Sequence, residues 1–233
     1  MARISEIAPG VFQVSVMRVA VTVVMDGTRA VVLDAGFRIT PPQVKAFLAV
    51  QGLHPQQVSH ILVSHYHPDH IGGLRRLQAM TGALVGAHAV EAPMIRGDAP
   101  FPNPFVHRPL QAAFGGLARS VTPPPTPVDL PLADDDVIDV AGGIRVLHTP
   151  GHTPGSLSFY LPQRGVLFVG DALQRRFGRL GLPSALFTAD MAAARASVQR
   201  LAQVDFGTLC FSHFASVGRE AHVELDRLAA AVA

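Results

Sequence analysis

The first third of the chain alternates short apolar blocks with turn residues, a period of two that predicts strands. Residues 11–16 and 19–25 read as strands, and Asp26-Gly27 is a hairpin signal into Ala30-Val31-Val32-Leu33. The period then changes. Thr40 is placed to cap a helix whose first residue is Pro41, with Val44, Phe47 and Leu48 on its buried face and Gly52 at its end. Residues 58–64 form the next strand. A helix from about Gly73 to Thr81 turns Leu74, Leu77 and Met80 inward and stops at Gly82, before a strand at Leu84–Ala87. Later strands are predicted at 137–140, 144–148, 157–161 and 166–169, divided by turns at Ala141-Gly142-Gly143 and Gln163-Arg164-Gly165. A helix over 189–203, with Met191, Ala194, Val198 and Leu201 inward, and another over about 219–232 complete the set.

Residues 91–131 break this rhythm. Ten prolines, at 93, 100, 102, 104, 109, 123, 124, 125, 127 and 131, exclude long helices and sheet interiors. Between them stand Met94, Phe101, Phe105, Val106 and Phe114, too apolar for a solvated linker. On either side of the break the pattern repeats itself. Arg29–Asp34 is echoed by Arg164–Asp171, and Ser59–His65 by Gly207–His213. In both halves an apolar strand ends on Asp and a later one on Ser-His, as expected of two half-sandwiches meeting face to face.

The candidate chemistry begins where the strand Ile61-Leu62-Val63-Ser64 gives way to His65-Tyr66-His67-Pro68-Asp69-His70. On an extended segment His65 and His67 share a face. The kink imposed by Pro68 turns Asp69 and His70 toward a second place, and Gly72-Gly73 lets the backbone bend before the next helix. Three His and one Asp at this density point to metal binding more than to a histidine-rich surface loop.

His-x-His-x-Asp-His after a short apolar strand resembles the signature of the metallo-β-lactamase superfamily. That family requires a further His, Asp and His downstream. His152 in Thr149-Pro-Gly-His-Thr-Pro-Gly-Ser156, Asp171 in Phe168-Val-Gly-Asp171 and His213 in Leu209-Cys-Phe-Ser-His213 supply them in order. The resemblance runs from about residue 10 to about 215. It implies an α/β protein with an αββα sandwich of two mixed sheets, formed by 1–233 as a single domain. It also implies two divalent ions, one held by His65, His67 and His152, the second by Asp69, His70 and His213, with Asp171 bridging. Nitrogen and carboxylate donors without thiolate suit Zn²⁺, with Fe or Mn²⁺ as alternatives. Such a pair implies a hydrolase that uses a bridging hydroxide, with Asp69 as the carboxylate placed to take or pass a proton. By the same resemblance Asp34 supports the metal loop; a simple turn-former is the other reading. The segment 91–131 becomes a lid or substrate wall, or else a packed excursion that includes a dimer contact.

Within the family the motifs look most like the glyoxalase-II-like and lactonase-like branches, which act on thioesters, esters or lactones. One departure is that only about 20 residues follow His213, too few for the helical domain with which glyoxalase II binds glutathione. A mononuclear iron persulfide dioxygenase on the same fold is the alternative, with a phosphodiesterase behind it. A non-catalytic binding module would lack ligand positions, and none is missing.

Composition narrows the rest. With 233 residues, 48% hydrophobic and 15% charged, the chain is long and apolar enough for one proper core. The formal charge is +2 and the densest basic spots are Arg75-Arg76 and Arg175-Arg176, so no nucleic-acid tract is present. Arg175, Arg176 and Arg179 are open to binding an anionic substrate group or to simple solvation. Cys210, the single cysteine, excludes an intramolecular disulfide and reads as a buried inert thiol. The N-terminal residues lack an apolar signal core, and no apolar run reaches the 18 or so residues of a membrane span. The expectation is a cytoplasmic enzyme with a small-molecule substrate and no membrane partner. No Gly-x-Ser-x-Gly elbow or Walker loop offers a rival chemistry. Tyr66 either lines the site or packs, and His54, His60, His88, His107, His148 and His222 read as structural or surface residues.

Overall fold

The computed structural model describes residues 2–103 and 122–232. Phe105, Val106, His107 and Phe114 therefore lie outside the described residues. Strands β1 (Arg3–Ala8), β2 (Val11–Val16), β3 (Val19–Asp26) and β4 (Arg29–Leu33) form an antiparallel meander. Onto it β5 (Val58–Leu62), β6 (Leu84–His88) and β7 (Leu130–Leu132) add in parallel, giving a seven-stranded sheet in sequence order. Parallel neighbours need crossovers. Helix α1 (Pro41–Val50) fills the first, and α2 (Pro68–Ile71) and α3 (Leu74–Thr81) the second. The last holds α4 (Ala92–Arg96).

The second sheet uses β8 (Val137–Ile138), β9 (Ile144–His148), β10 (Leu157–Leu161) and β11 (Val166–Phe168). A small hairpin of β12 (Gln174–Arg176) and β13 (Arg179–Gly181) follows, then helix α5 (Met191–Leu201). Strand β14 (Thr208–Cys210) pairs parallel to β11, and α6 (Ala221–Ala231) closes the described chain. The order is β14-β11-β10-β9-β8.

The two-residue period decides which side chains meet. On β4, Val31 and Leu33 face the second sheet while Ala30 and Val32 face α1 and α3. On β11, Val166 and Phe168 face the first sheet while Leu167 packs with Val198 and Leu201 of α5. The result is four layers, αββα, with one apolar cluster between the sheets and one beneath each pair of helices. Cys210 lies in the inter-sheet cluster, where Gln13 Nε2 approaches its sulfur at 3.3 Å and burial pushes its thiol up to about 11. Such a thiol is inert. No helix among the described residues is long and apolar enough to cross a membrane.

Several local details differ from the sequence expectations. Thr40 adopts helical angles and its side chain makes no capping bond; its Oγ1 is buried without a partner beneath Gly36. Its carbonyl instead accepts from Gln43 N and Val44 N. Met80 and Met191 are half-buried, and the buried places fall to Thr81 and Ser197. Helix α5 starts at Asp190, whose Oδ1 accepts from Ala192 N and Ala193 N at 2.8 and 3.0 Å. The proline-rich stretch does join the first sheet, as the short edge strand β7 with Pro131 in it.

Candidate metal centre

All four chain segments that carry the predicted donors arrive at one edge of the sandwich. Beyond β5 the backbone stays extended, with Val63 N bonded to Gly86 O and Leu157 N of the second sheet bonded to Ser64 O, both at 2.8 Å. Pro68 then opens α2, the position where its missing N–H costs nothing. The helical turn, more than a simple kink, is what swings Asp69 and His70 away from His65 and His67. At Gly73 a Cβ would overlap the Ala35 carbonyl, so this close approach of two backbones requires glycine. His152 sits in the loop after β9, where Gly151 (φ 134°) lies against Ala194 of α5. Asp171 and His213 follow the parallel pair β11 and β14.

The three imidazoles His65, His67 and His152 converge. His67 Nδ1 lies 3.1 Å from His65 Nε2 and 2.9 Å from His152 Nε2. Next to them, His213 Nε2 lies 3.2 Å from His70 Nε2 and 3.2 Å from Asp69 Oδ2. Asp171 stands between the groups, its Oδ2 3.2 Å from His213 Nε2 and 3.6 Å from His152 Nε2, its Oδ1 3.6 Å from His70 Nε2. All seven predicted side chains thus meet, in overlapping triads whose donor atoms lie within 4.8 Å of one another.

The donor chemistry fits divalent cations. Burial lowers the pKa of His65 far below its ordinary value and that of His67 to about 3, and lowers His152 as well, so these rings are neutral. Each neutral ring has one N–H and one lone pair. His67 Nδ1 therefore shares at most one proton with the two imidazole nitrogens that face it, and a lone pair left facing another suits a cation. Burial works against charge on His70 and His213 too. There Asp171 outweighs it, helped by the other nearby carboxylates, and holds His70 well above its ordinary value and His213 at about 9. Burial would raise Asp69 and Asp171, but His70 and His213 keep both below the ordinary carboxylate range. Alternating carboxylates and imidazoles around one cavity is the composition of an N/O metal site.

Asp34 stands behind this set. It is fully buried with φ 63°, and its Oδ2 accepts from His70 Nδ1 at 2.8 Å and from Ser64 Oγ at 2.9 Å. Ser212 Oγ donates to the same oxygen at 3.3 Å, and Ser64 N to Oδ1 at 2.8 Å. Of its two sequence readings, the geometry gives support of the donor loop. The echo between the halves is explained here, because their two Ser-His endings meet on one carboxylate.

Glu91, which the sequence reading passed over, is a second such anchor. It is 1% exposed, accepts from Thr153 Oγ1 and from Gly155 N at 3.0 Å, and thereby ties the His152 loop to the start of α4. Burial pushes its carboxyl up to about 7. The sequence signal was Gly155: a Cβ there would overlap the Glu91 side chain. Tyr66 packs. Its ring meets His67 and Phe101 edge-on at 5.2 and 5.7 Å within the first cluster, away from the cleft. His88 and His148 stack at 4.3 Å, His148 Nε2 bonding Pro154 O. His222 stacks on Phe206, His54 lies at the start of a 3₁₀ turn and His60 is half-buried beside Ser59.

Five of the donors, His67, Asp69, His152, Asp171 and His213, line a cleft of about 700 Å³, with His65 and His70 buried behind them. Its walls come from Met17, Phe37–Ile39, Leu173, Gln174, Arg176, Pro183, Ser184 and Phe187. No residue of 91–103 or 122–131 lines it.

An αββα sandwich with His and Asp donors gathered at one edge defines a class of metalloproteins. The chain belongs to the metallo-beta-lactamase superfamily, whose family model matches residues 11–213. Among curated proteins it is similar to the hydroxyacylglutathione hydrolases of Rhodobacter capsulatus, 32% identical over 63% of this chain and 47% of that one, and of Cereibacter sphaeroides, 32% identical over 57% and 39%. The chain thus matches less than half the length of these relatives. Among solved structures, a metallo-beta-lactamase family protein from Thermus thermophilus superposes with a TM-score of 0.69 at 28% identity, covering 97% of this chain and 80% of that one. A metallo-beta-lactamase from Cronobacter sakazakii gives 0.70 at 24% identity over 91% and 80%, a likeness of fold.

Proposed function

We propose that the protein is a metal-dependent hydrolase of a small carbonyl substrate, an ester, thioester or lactone, acting in the cytoplasm. The observation that carries this is the convergence of seven N and O donors at one place, five of which line an open cleft. His65, His67 and His152 would hold one divalent ion and Asp69, His70 and His213 a second, with Asp171 between them and zinc as the metal best matched by the donors. When bound, such a pair supplies Lewis acidity and brings the pKa of water from 15.7 to about 7. Asp69, which lines the cleft, is placed to take the proton of the attacking water and pass it to the leaving group. The water oxygen forms a bond to the carbonyl carbon, the C–O or C–S bond breaks, and the products are an acid and an alcohol or thiol. Asp34 and Glu91 keep the donor loops in register. The hydroxyacylglutathione hydrolases among the relatives support a thioester as one member of this substrate class.

The test is a panel of aryl esters, thioesters, lactones, β-lactams and phosphodiesters assayed with metal-loaded protein. The highest kcat/KM is expected on an ester, thioester or lactone, by at least tenfold, or about 1.4 kcal/mol of transition-state discrimination. A phosphodiester at the top, or a single bound iron with O₂ consumed on adding a persulfide, overturns the reading.

A further inference from the structure

The lining of the cleft describes a ligand. Beside the His and Asp donors the walls carry Met17, Phe37, Ile39, Leu173, Pro183 and Phe187. Two of these, Met17 and Ile39, are 72% and 52% exposed although they face a cavity. Exposed apolar side chains gathered round a cleft mark a surface that an apolar ligand covers. Among the described residues the other charged side chains of the lining are Arg38 and Arg176, and both are exposed. Among the described residues the arginine ion pairs belong to Arg96, Arg145 and Arg200, so neither wall arginine has a carboxylate partner. Arg38 donates to the Thr122 carbonyl at 3.1 Å, which tethers it beside the cleft and leaves its charge unneutralised. Beyond the donors, therefore, the lining among the described residues is mostly apolar and carries two cations and no further carboxylate.

We propose that the substrate is an amphiphile whose reacting carbonyl carries an apolar chain ending in an anionic group, which Arg38 and Arg176 grip. A carboxylate and a phosphate share the chemistry the arginines recognise. This deepens the hydrolase reading and rests on it for the chemistry at the donors. It assigns specificity to two named arginines and an apolar belt, and it makes short polar acyl groups poor substrates.

The test uses metal-loaded protein and thioesters lengthened one methylene at a time, first in the acyl half and then in the thiol half, each chain ending in methyl, carboxylate or phosphate. From four to eight carbons kcat/KM is expected to rise about threefold per methylene in one of the two halves, as burial of apolar surface requires. At eight carbons an anionic tip should improve it about tenfold over methyl, and Arg38→Gln/Arg176→Gln should bring that ratio near one. Whichever tip gives the larger ratio identifies the anion. A flat length profile in both halves, or a ratio that survives the double substitution, overturns the proposal while leaving hydrolysis intact. If no thioester is turned over, the hydrolase reading is what has failed, and calorimetry decides the ligand. Octanedioate should then bind at least tenfold more tightly than butanedioate and lose that advantage in the double variant; equal binding of the two overturns the proposal.

Discussion

Oδ2 of Asp34 lies 2.8 Å from Nδ1 of His70, both side chains fully buried, so the opposite nitrogen of the ring is turned toward Asp69, Asp171 and His213. The carboxylate fixes both the tautomer and the tilt of the imidazole. Asp34→Asn keeps the volume and removes the charge. It is expected to lower metal affinity 10- to 100-fold in chelator competition. Unchanged affinity would reduce Asp34 to a turn-former.

Asp171 stands between the two donor groups, and its loss should be felt by both. Asp171→Ala is expected to bring metal content from close to two ions per chain to one or fewer, with turnover falling sharply. Elemental analysis beside the ester assay reads both. Full occupancy in the variant would remove Asp171 from the bridging position.

Glu91 makes stability depend on pH. Its folded-state pKa of about 7 is raised above the ordinary 4.5, so the unfolded chain loses this proton first as pH rises. Its contribution is therefore complete below pH 4.5 and is lost as pH climbs through 7, by an amount on the order of 3 kcal/mol. Glu91→Gln cannot ionise. Denaturant unfolding at pH 4.5 and 7.5 should show a wild-type decline that the variant lacks; equal declines would place the titration elsewhere.

Phe101 meets Tyr66 edge-on at 5.7 Å, and Tyr66 in turn meets His67. Phe101→Ala is expected to destabilise the fold by about 2 kcal/mol through lost packing, with the substrate ranking unchanged. A changed ranking at unaltered stability would make the residue part of a substrate wall.

The donor set was legible because every member follows an apolar strand or a glycine-proline turn, and such boundaries are written in adjacent residues. The parallel pairs β4 with β5 and β11 with β14 could be anticipated from their repeated Asp and Ser-His endings. Glu91 was legible only through Gly155, a signal that does not name its partner, since Thr153 lies 62 positions from Glu91. Helix α2 is four residues long, too short for a helical period, so Pro68 read as a kink when it is a helix start. The hairpin Gln174–Arg176 and Arg179–Gly181 went unread because three arginines in two three-residue strands show no alternation. At Thr40 the local rule for a cap yielded to packing beneath Gly36.

The two sheets are joined by backbone as well as by side chains. Leu157 N bonds Ser64 O at 2.8 Å, and Ala20 N bonds Ser212 O at 2.7 Å, each crossing from one sheet to the other beside a donor histidine. Between these points the inter-sheet cluster takes residues from both sheets, so neither sheet buries its inner face alone. Opening one sheet edge without the other would expose that whole face. The amide hydrogens of Leu157 and Ala20 are therefore expected to exchange with solvent only through global unfolding, at a rate that follows denaturant stability across variants. The donor edge then has no private unfolding route, and its geometry persists for as long as the fold does.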